Sequence, residues 1–312
     1  MPAPPPIFLT GPTAVGKSAV ALALAGRLGG EIISVDSMQV YRGFDIGTAK
    51  PSLADRQRVP HHLIDVVDLT ESFDAAKFVQ LAQQAVAGIQ TRGKVAIFCG
   101  GTGLYFKAFL EGLGASPPAD PALRAELEAT PLPDLLSELE RCDLETFRMI
   151  DRQNPRRVIR ALEVIRLTGK PFSAQRAPWI AEPSTINHRP SACFFALTRS
   201  PADLRARIDA RVDDMFRRGL VEETRQLLAR GLEQNRTAMQ AIGYRQVVEH
   251  LHGVRRLPDT IALVKQRTRQ FAKRQITWCR HQLPIVWHAV DPNEAPDALA
   301  GRLATLWRGS AP

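Results

Sequence analysis

Short runs of apolar residues separated by longer amphipathic stretches dominate the first third of the chain. Residues 7–10 (Ile-Phe-Leu-Thr), 32–35 (Ile-Ile-Ser-Val) and 95–99 (Val-Ala-Ile-Phe-Cys) are nearly continuous in apolar character, as strands in the middle of a parallel sheet are. Between them, residues 18–28 and 75–89 carry apolar positions at helical spacing. Strands alternating with helices imply an α/β core whose parallel strands are joined by right-handed crossovers.

The pattern changes at Ser116-Pro117-Pro118. From about 117 to 190 the chain shows proline-punctuated helical periodicity, for instance over 135–142 and 158–168, and hardly any strand pattern. An apolar run at 193–197 returns the chain to the sheet, and charged helices fill most of 201–283. The expected organisation is a first core segment (1–115), a helical insertion domain (116–192) and a second core segment (193–312) ending in basic helices. No fixed-period repeat is present.

The 312 residues suffice for such a core with an insertion, and 45% hydrophobic content fits a globular protein. A net charge of +9 favours an anionic partner such as a phosphate backbone. Cys99, Cys142, Cys193 and Cys279 form no C-x-x-C pair, which argues against a zinc site or redox dithiol and for a reduced, cytoplasmic setting. The start does not resemble a secretory signal, and no apolar run is long enough to span a bilayer, so no membrane partner is expected.

Gly11-Pro12-Thr13-Ala14-Val15-Gly16-Lys17-Ser18 matches G-x-x-x-x-G-K-[ST] between an expected strand and helix, where the motif has mechanical meaning. The glycines let successive N–H groups curl toward phosphate oxygens at a helix N-terminus. Lys17 would neutralise phosphate charge and Ser18 would offer its hydroxyl to Mg²⁺. This P-loop points to a diphosphate-containing, nucleotide-like ligand without specifying ATP. A kinase or ATPase would next show an acid after a hydrophobic strand. Here residues 95–99 lead into Gly100-Gly101-Thr102-Gly103 instead, which weakens that reading. Asp36, closing the 32–35 strand, falls at the same sheet edge as the P-loop, poised to take a proton or to help hold the metal.

The stretch 36–51 (DSMQVYRGFDIGTAKP), with Gly100-Gly101-Thr102-Gly103-Leu104-Tyr105, Arg160-Ala161-Leu162-Glu163, Gly243-Tyr244-Arg245 and Lys273-Arg274-Gln275-Ile276-Thr277-Trp278, closely resembles the bacterial tRNA dimethylallyltransferases over residues 7–288. The resemblance implies a P-loop NTPase-like core and transfer of a dimethylallyl group from its diphosphate to N6 of the adenosine at tRNA position 37, releasing pyrophosphate. It assigns Asp36 as the base, Arg211 as a pyrophosphate ligand and Thr102 as a residue near the reacting atoms, whose hydroxyl can bond Asp36, the amine or the bridging oxygen. Asp36 read alone is equally an N-cap or an ion-pair partner. Arg211 read alone is equally a helical ion pair with Asp209, Asp213 or Asp214.

By the same resemblance tRNA is held by Asp36, Ser37, Met38 and Gln39, by Thr102 and Arg124, by Arg156, Arg157, Val158, Ile159 and Arg160, by Gln240, Ala241, Ile242, Gly243, Tyr244 and Arg245, and by Lys273, Arg274, Gln275, Ile276, Thr277, Trp278, Cys279 and Arg280. Gln39 and the 243–245 turn are expected to read bases, while the cations position the backbone. Arg156, Arg157 and Arg160 lie in the insertion, which is therefore expected to close on the anticodon arm. Residues 265–281 hold many basic residues and no acid, and helical spacing sets Lys265, Arg269 and Lys273 on one stripe suited to phosphates. Phe271 and Trp278 can pack inward or stack on a base.

Mg²⁺ is the metal expected at Ser18 of the P-loop; the C-terminal Cys/His zinc finger that eukaryotic members of that family often carry has no counterpart here, so no zinc is expected. His61 and His62 are adjacent on an extended segment and point to opposite faces, which argues against a metal pair. A monomer is expected. Two rivals stay open on sequence grounds: a P-loop kinase of small molecules or nucleotides, and a non-catalytic RNA-binding protein with a vestigial P-loop.

Overall fold

The computed structural model describes residues 3–113, 117–175 and 193–310. It divides into two compact units, one of residues 1–110 with 187–312, the other of residues 111–186. The expected insertion at 116–192 covers most of the second unit, and its far boundary lies outside the described residues.

In chain order the first unit begins with β1 (Ile7–Thr10), α1 (Lys17–Leu28), β2 (Glu31–Val35), α2 (Leu53–Arg58), β3 (His61–His62), α3 (Ala75–Thr91), β4 (Ala96–Gly100) and α4 (Gly103–Glu111). In the second unit follow α5 (Pro121–Ala129), α6 (Leu132–Cys142), α7 (Leu144–Met149) and α8 (Pro155–Thr168). The first unit resumes with β5 (Phe194–Thr198), α9 (Pro201–Arg217), α10 (Leu220–Ala229), α11 (Tyr244–Leu251), α12 (Leu257–Gln282), β6 (Val286–Ala289) and α13 (Pro296–Ser310).

All six strands are parallel, in the order β3-β2-β4-β1-β5-β6. Every residue of β1, β2 and β4 is buried, which explains their unbroken apolar runs: helices cover both faces of the sheet. The edge strands differ. β3 is two residues long, too short for an apolar run, and β6 is partly exposed although three of its four residues are apolar.

Helix α1 buries Val20, Ala21, Leu24 and Ala25 on one face and ends at Gly29, whose left-handed φ of 62° lets its N–H reach the Ala25 carbonyl. Leu299, Leu303 and Trp307 of α13 join the same core, and Asp297 binds Arg27 of α1. Helix α3 starts on Asp74, whose carboxylate accepts from the Lys77 N–H at 2.9 Å, and buries Phe78, Ala82, Val86 and Ile89.

In the second unit Leu127 of α5, Leu135 and Leu139 of α6, and Val158, Ile159, Ala161 and Leu162 of α8 form one core. Because a parallel sheet puts all strand C-termini on one edge, residues 11–18, 36–39, 100–103 and 199 of the first unit emerge together.

Candidate active site

The turn after β1 is held open by its own chain. A Cβ at Gly11 (φ 142°) would lie 2.6 Å from the Leu197 carbonyl oxygen, so only glycine lets the loop pass this close to β5. Gly16 (φ 110°) leads into α1 without any side-chain cap, which leaves the N–H groups of the first helical turn available to an anion. Ala14 also sits at positive φ, 64°. Three cations take the loop carbonyls: Lys17 Nζ donates to Gly11 O (2.8 Å) and Pro12 O (2.7 Å), Arg207 Nε to Ala14 O (2.9 Å), and Arg199 Nε to Val15 O (2.9 Å).

Burial is the main cause that brings the Lys17 ammonium down to a pKa of about 8; Arg211 nearby adds to the lowering, while Cys99 and Asp36 oppose it. Arg211 is likewise lowered by burial, against the attraction of Asp36. Burial pushes the Cys99 thiol up to about 11, so it is no nucleophile at neutral pH.

Asp36 ends β2 and folds one carboxylate oxygen back, where Oδ1 accepts from Met38 N (2.8 Å) and Gln39 N (3.3 Å). Oδ2 accepts no hydrogen bond from a described residue. Beyond β4, Thr102 N donates to Val35 O (3.2 Å), and Thr102 Oγ1 accepts from Ser37 N (3.2 Å). The hydroxyl proton of Thr102 is therefore still free to donate. This approach depends on Gly100, because a Cβ there would sit 2.0 Å from the Val35 carbonyl oxygen.

A cavity of about 420 Å³ joins these parts. Lys17, Ser18, Asp36, Thr102 and Arg211 line its polar side; Met38, Val212, Met215, Ile242, Val264 and Phe271 give it an apolar wall. A second opening of about 360 Å³, on which Arg207 faces, shares Lys17, Ser18 and Arg211 with the first. Cationic side chains, a hydroxyl and a carboxylate thus meet beside an apolar surface, an arrangement suited to a ligand that is charged at one end and hydrocarbon at the other.

Several residues expected at the RNA surface do other work. Val158 and Ile159 are buried in the core of the second unit, so their side chains do not reach RNA. Arg124 and Arg160 converge on the fully buried Glu163 carboxylate at 2.5 and 2.7 Å, and Arg160 also donates to Pro117 O. Arg156 and Arg157, in the first turn of α8, are exposed.

Tyr244 is buried as a strut: its hydroxyl donates to Glu223 and accepts from Gly47 N (3.1 Å), and its ring packs on Phe44, so it reads no base. Gln39 lines the cavity with its amide already used, accepting from Ser34 Oγ (2.9 Å) and donating to Thr48 O (3.2 Å). Arg245 pairs with Glu249 at 3.4 Å, one turn along α11. Gln240, Ala241 and Ile242 line the cavity, while Gly243 (φ 98°) opens α11.

The expected phosphate stripe on α12 is also altered. Lys265 binds Asp213 (2.7 Å) and Arg269 binds both oxygens of Asp209 (2.8 and 2.9 Å), so these cations tie α12 to α9 and leave Arg211 unpaired by either aspartate. Asp214 is engaged by Arg217 and Arg218. Lys273, Arg274, Thr277 and Arg280 are exposed; Arg274 sits over the Phe271 ring and Arg280 over Trp287. Cys279 is buried against Thr10, Ile276 packs on the main core, and Trp278 seats against Gly103, where a Cβ would lie 2.1 Å from its ring. Gln275 is buried as well.

His62 binds the buried Glu31 at 2.7 Å and His61 the carbonyl of Val59, as structural partners. Sequence reasoning missed Arg199, Arg207 and the loop contact of Gln275. Arg207 carried a signal in its i,i+4 spacing from Arg211; Gln275 carried none.

The family model described as IPP transferase matches residues 39–282. The chain belongs to the IPP transferase family. It is 46% identical over 286 residues to a tRNA dimethylallyltransferase of Geobacter metallireducens, covering 90% of this chain and 91% of the relative. It is also 46% identical over 293 residues to one of Halorhodospira halophila (92% and 93%). Among solved structures, the tRNA isopentenylpyrophosphate transferase of Bacillus halodurans superposes with a TM-score of 0.69 at 36% identity, over 98% of this chain and 97% of that one. A eukaryotic dimethylallyltransferase acting on tRNA gives 0.75 at 30% identity, over 91% and 74%. The chain itself combines a P-loop with a six-stranded parallel sheet. Among the described residues no helix is long and apolar enough to cross a membrane.

Proposed function

We propose that this protein transfers the dimethylallyl group of dimethylallyl diphosphate to N6 of the adenosine at tRNA position 37, releasing pyrophosphate. The observation that carries the reading is the shared cavity: diphosphate ligands (Lys17, Ser18, Arg211), a carboxylate (Asp36) and an apolar wall all face one space. A five-carbon tail fits that wall, where burying it stabilises binding by about 0.8 kcal/mol per CH₂.

The exocyclic amine of adenine is a weak nucleophile because its lone pair is delocalised into the ring. As its N6–C1 bond to the allylic carbon forms and the C1–O bond breaks, the N6 proton passes to Asp36 and the electron pair leaves on the diphosphate oxygen. Lys17, Arg211 and the first-turn amides of α1 are preorganised for that developing charge. Thr102, with its hydroxyl proton uncommitted, can donate to the bridging oxygen or the incoming base.

Magnesium suits this donor set. No group of three His, Cys, Asp or Glu that could hold a metal occurs among the described residues, and Mg²⁺ needs none, because it keeps waters and binds through substrate phosphates with one or two protein oxygens. Ser18 Oγ is the fitting protein ligand, and the ion when bound supplies charge neutralisation on the pyrophosphate.

An adenine stacked in an anticodon loop must turn outward to enter the cavity. Lys273, Arg274 and Arg280 in the first unit, and Arg156 and Arg157 in the second, are the exposed cations suited to the RNA backbone. A cytoplasmic monomer is the form in which we expect it to act. Incubation with radiolabelled dimethylallyl diphosphate and unmodified tRNA should yield N6-dimethylallyladenosine; phosphorylation from ATP without prenyl transfer would reject the proposal in favour of a kinase.

A further inference from the structure

Gln275 lies within α12, and both ends of its side-chain amide are committed to backbone on the other side of the site. Its Oε1 accepts from Thr13 N in the P-loop at 2.8 Å, and its Nε2 donates to the Gly101 carbonyl in the turn after β4 at 3.0 Å. The residue is buried, 8% exposed, and its two bonds are partly shielded from water. The seat is tight: a Cβ at Gly101 would lie 2.2 Å from Nε2. Glycine at 101 and glutamine at 275 therefore fit each other.

The two backbones it joins are those that matter for the chemistry. Thr13 belongs to the loop that cradles the diphosphate, and Gly101 immediately precedes Thr102. On the same helix, one and two residues before Gln275, Arg274 and Lys273 are exposed, and Arg274 lines the cavity. Lys265 and Arg269, earlier on α12, bind Asp213 and Asp209 of α9, the helix that carries Arg211. A shift of α12 is thus felt by the loop, by the Thr102 turn and by the diphosphate arginine together.

We infer that Gln275 is a positioning residue that couples RNA engagement on the outer face of α12 to the grip of the P-loop on diphosphate. The inference rests on the proposed transferase reading and deepens it. RNA drawn to Lys273 and Arg274 seats α12, and the amide of Gln275 sets Thr13 N and Gly101 O at the spacing the diphosphate requires. Donor and acceptor then bind cooperatively, and by linkage each tightens the other by the same factor.

Full-length protein is titrated with pyrophosphate by calorimetry, alone and with a saturating unmodified anticodon stem-loop, while melting temperature reports folding. Wild-type protein should bind pyrophosphate about fivefold or more tightly with RNA present. Gln275→Met, of similar volume but without the two hydrogen bonds, should bring that ratio to about one while RNA affinity changes little. Gln275→Asn, one methylene too short to reach both partners, should do the same, and it carries the test if the methionine variant fails to fold. A wild-type ratio of one, or an undiminished ratio in the folded variants, overturns the coupling and leaves the transferase reading standing. Wild-type protein that binds neither pyrophosphate nor RNA overturns both.

Discussion

Thr102 Oγ1 accepts a hydrogen bond from the backbone N–H of Ser37 at 3.2 Å, joining the turn after β4 to the turn after β2 that carries Asp36. The two residues are 65 positions apart in sequence, and adjacency of β2 and β4 in the sheet brings them together. Asp36 and the Thr102 hydroxyl are consequently set by two turns bonded to each other, and disturbing either turn disturbs both.

Asp36→Ala should lower kcat by about 10²–10⁴-fold, the usual range for a lost general base. Single-turnover prenyl transfer and tRNA binding measured on the same preparation check this. A loss confined to tRNA affinity, with normal turnover at saturation, would remove Asp36 from the chemistry.

Gly100→Ala should be destabilising as well as slow. The added methyl meets the Val35 carbonyl oxygen at 2.0 Å, and backbone, unlike the end of a flexible side chain, cannot swing aside. A cost of about 1–3 kcal/mol or more in urea unfolding is expected, as for other overpacked sites.

Lys17 gives a pH signature. Burial lowers its folded pKa to about 8 from the ordinary lysine value of 10.5, so between those values the unfolded chain binds more protons than the folded one. The burden of keeping this ammonium charged in the folded state is fully present below pH 8 and is relieved as pH rises toward 10.5. The unfolding free energy of the ligand-free protein relative to Lys17→Met should therefore increase over that window, by at most about 1.4 kcal/mol per pH unit. Chemical denaturation of both proteins from pH 7 to 10 tests it; a flat or falling difference contradicts it.

Glu163→Ala should weaken the second unit. Its carboxylate is fully buried and receives Arg124, Arg160 and the Asp120 N–H. Because both arginines are about a third exposed and can turn to water, the expected cost is about 2–4 kcal/mol, short of that for a wholly buried pair. Loss of helicity at lower denaturant concentration is the readout.

On α12, exposed and paired cations should separate by salt dependence. Lys273→Ala should weaken tRNA binding and reduce the slope of log affinity against log salt by about one. Arg269→Ala, which breaks the pair with Asp209, should lower stability and change that slope less. Equal slopes for the two variants would reassign Arg269 to the RNA surface.

The chain's central strands, the P-loop and the position of Asp36 were legible in the sequence because each depends on local pattern. Buried parallel strands read as unbroken apolar runs, and a glycine-bounded turn before a helix has few other uses. The edge strands β3 and β6 went unread: two residues make no run, and the apolar run of β6 is short and follows directly on the charged helices that dominate 201–283. Charge misled on α12 for a related reason. A run of cations without acids looks like a phosphate surface until the fold supplies Asp209 and Asp213 from another helix.

By itself, then, the sequence determined which segments become the central strands and the long helices and which residue types stand at those strand ends, because these follow from periodicity, burial pattern and turn chemistry. Tertiary structure alone decided which cations are spent inside the protein, which expected RNA contacts lie in a core, and that Gln275 reaches across 262 residues to the P-loop. Ion pairs and hydrogen bonds act only over a few ångströms, so their partners are chosen by the packing of distant elements and leave no trace in the order of residues along the chain.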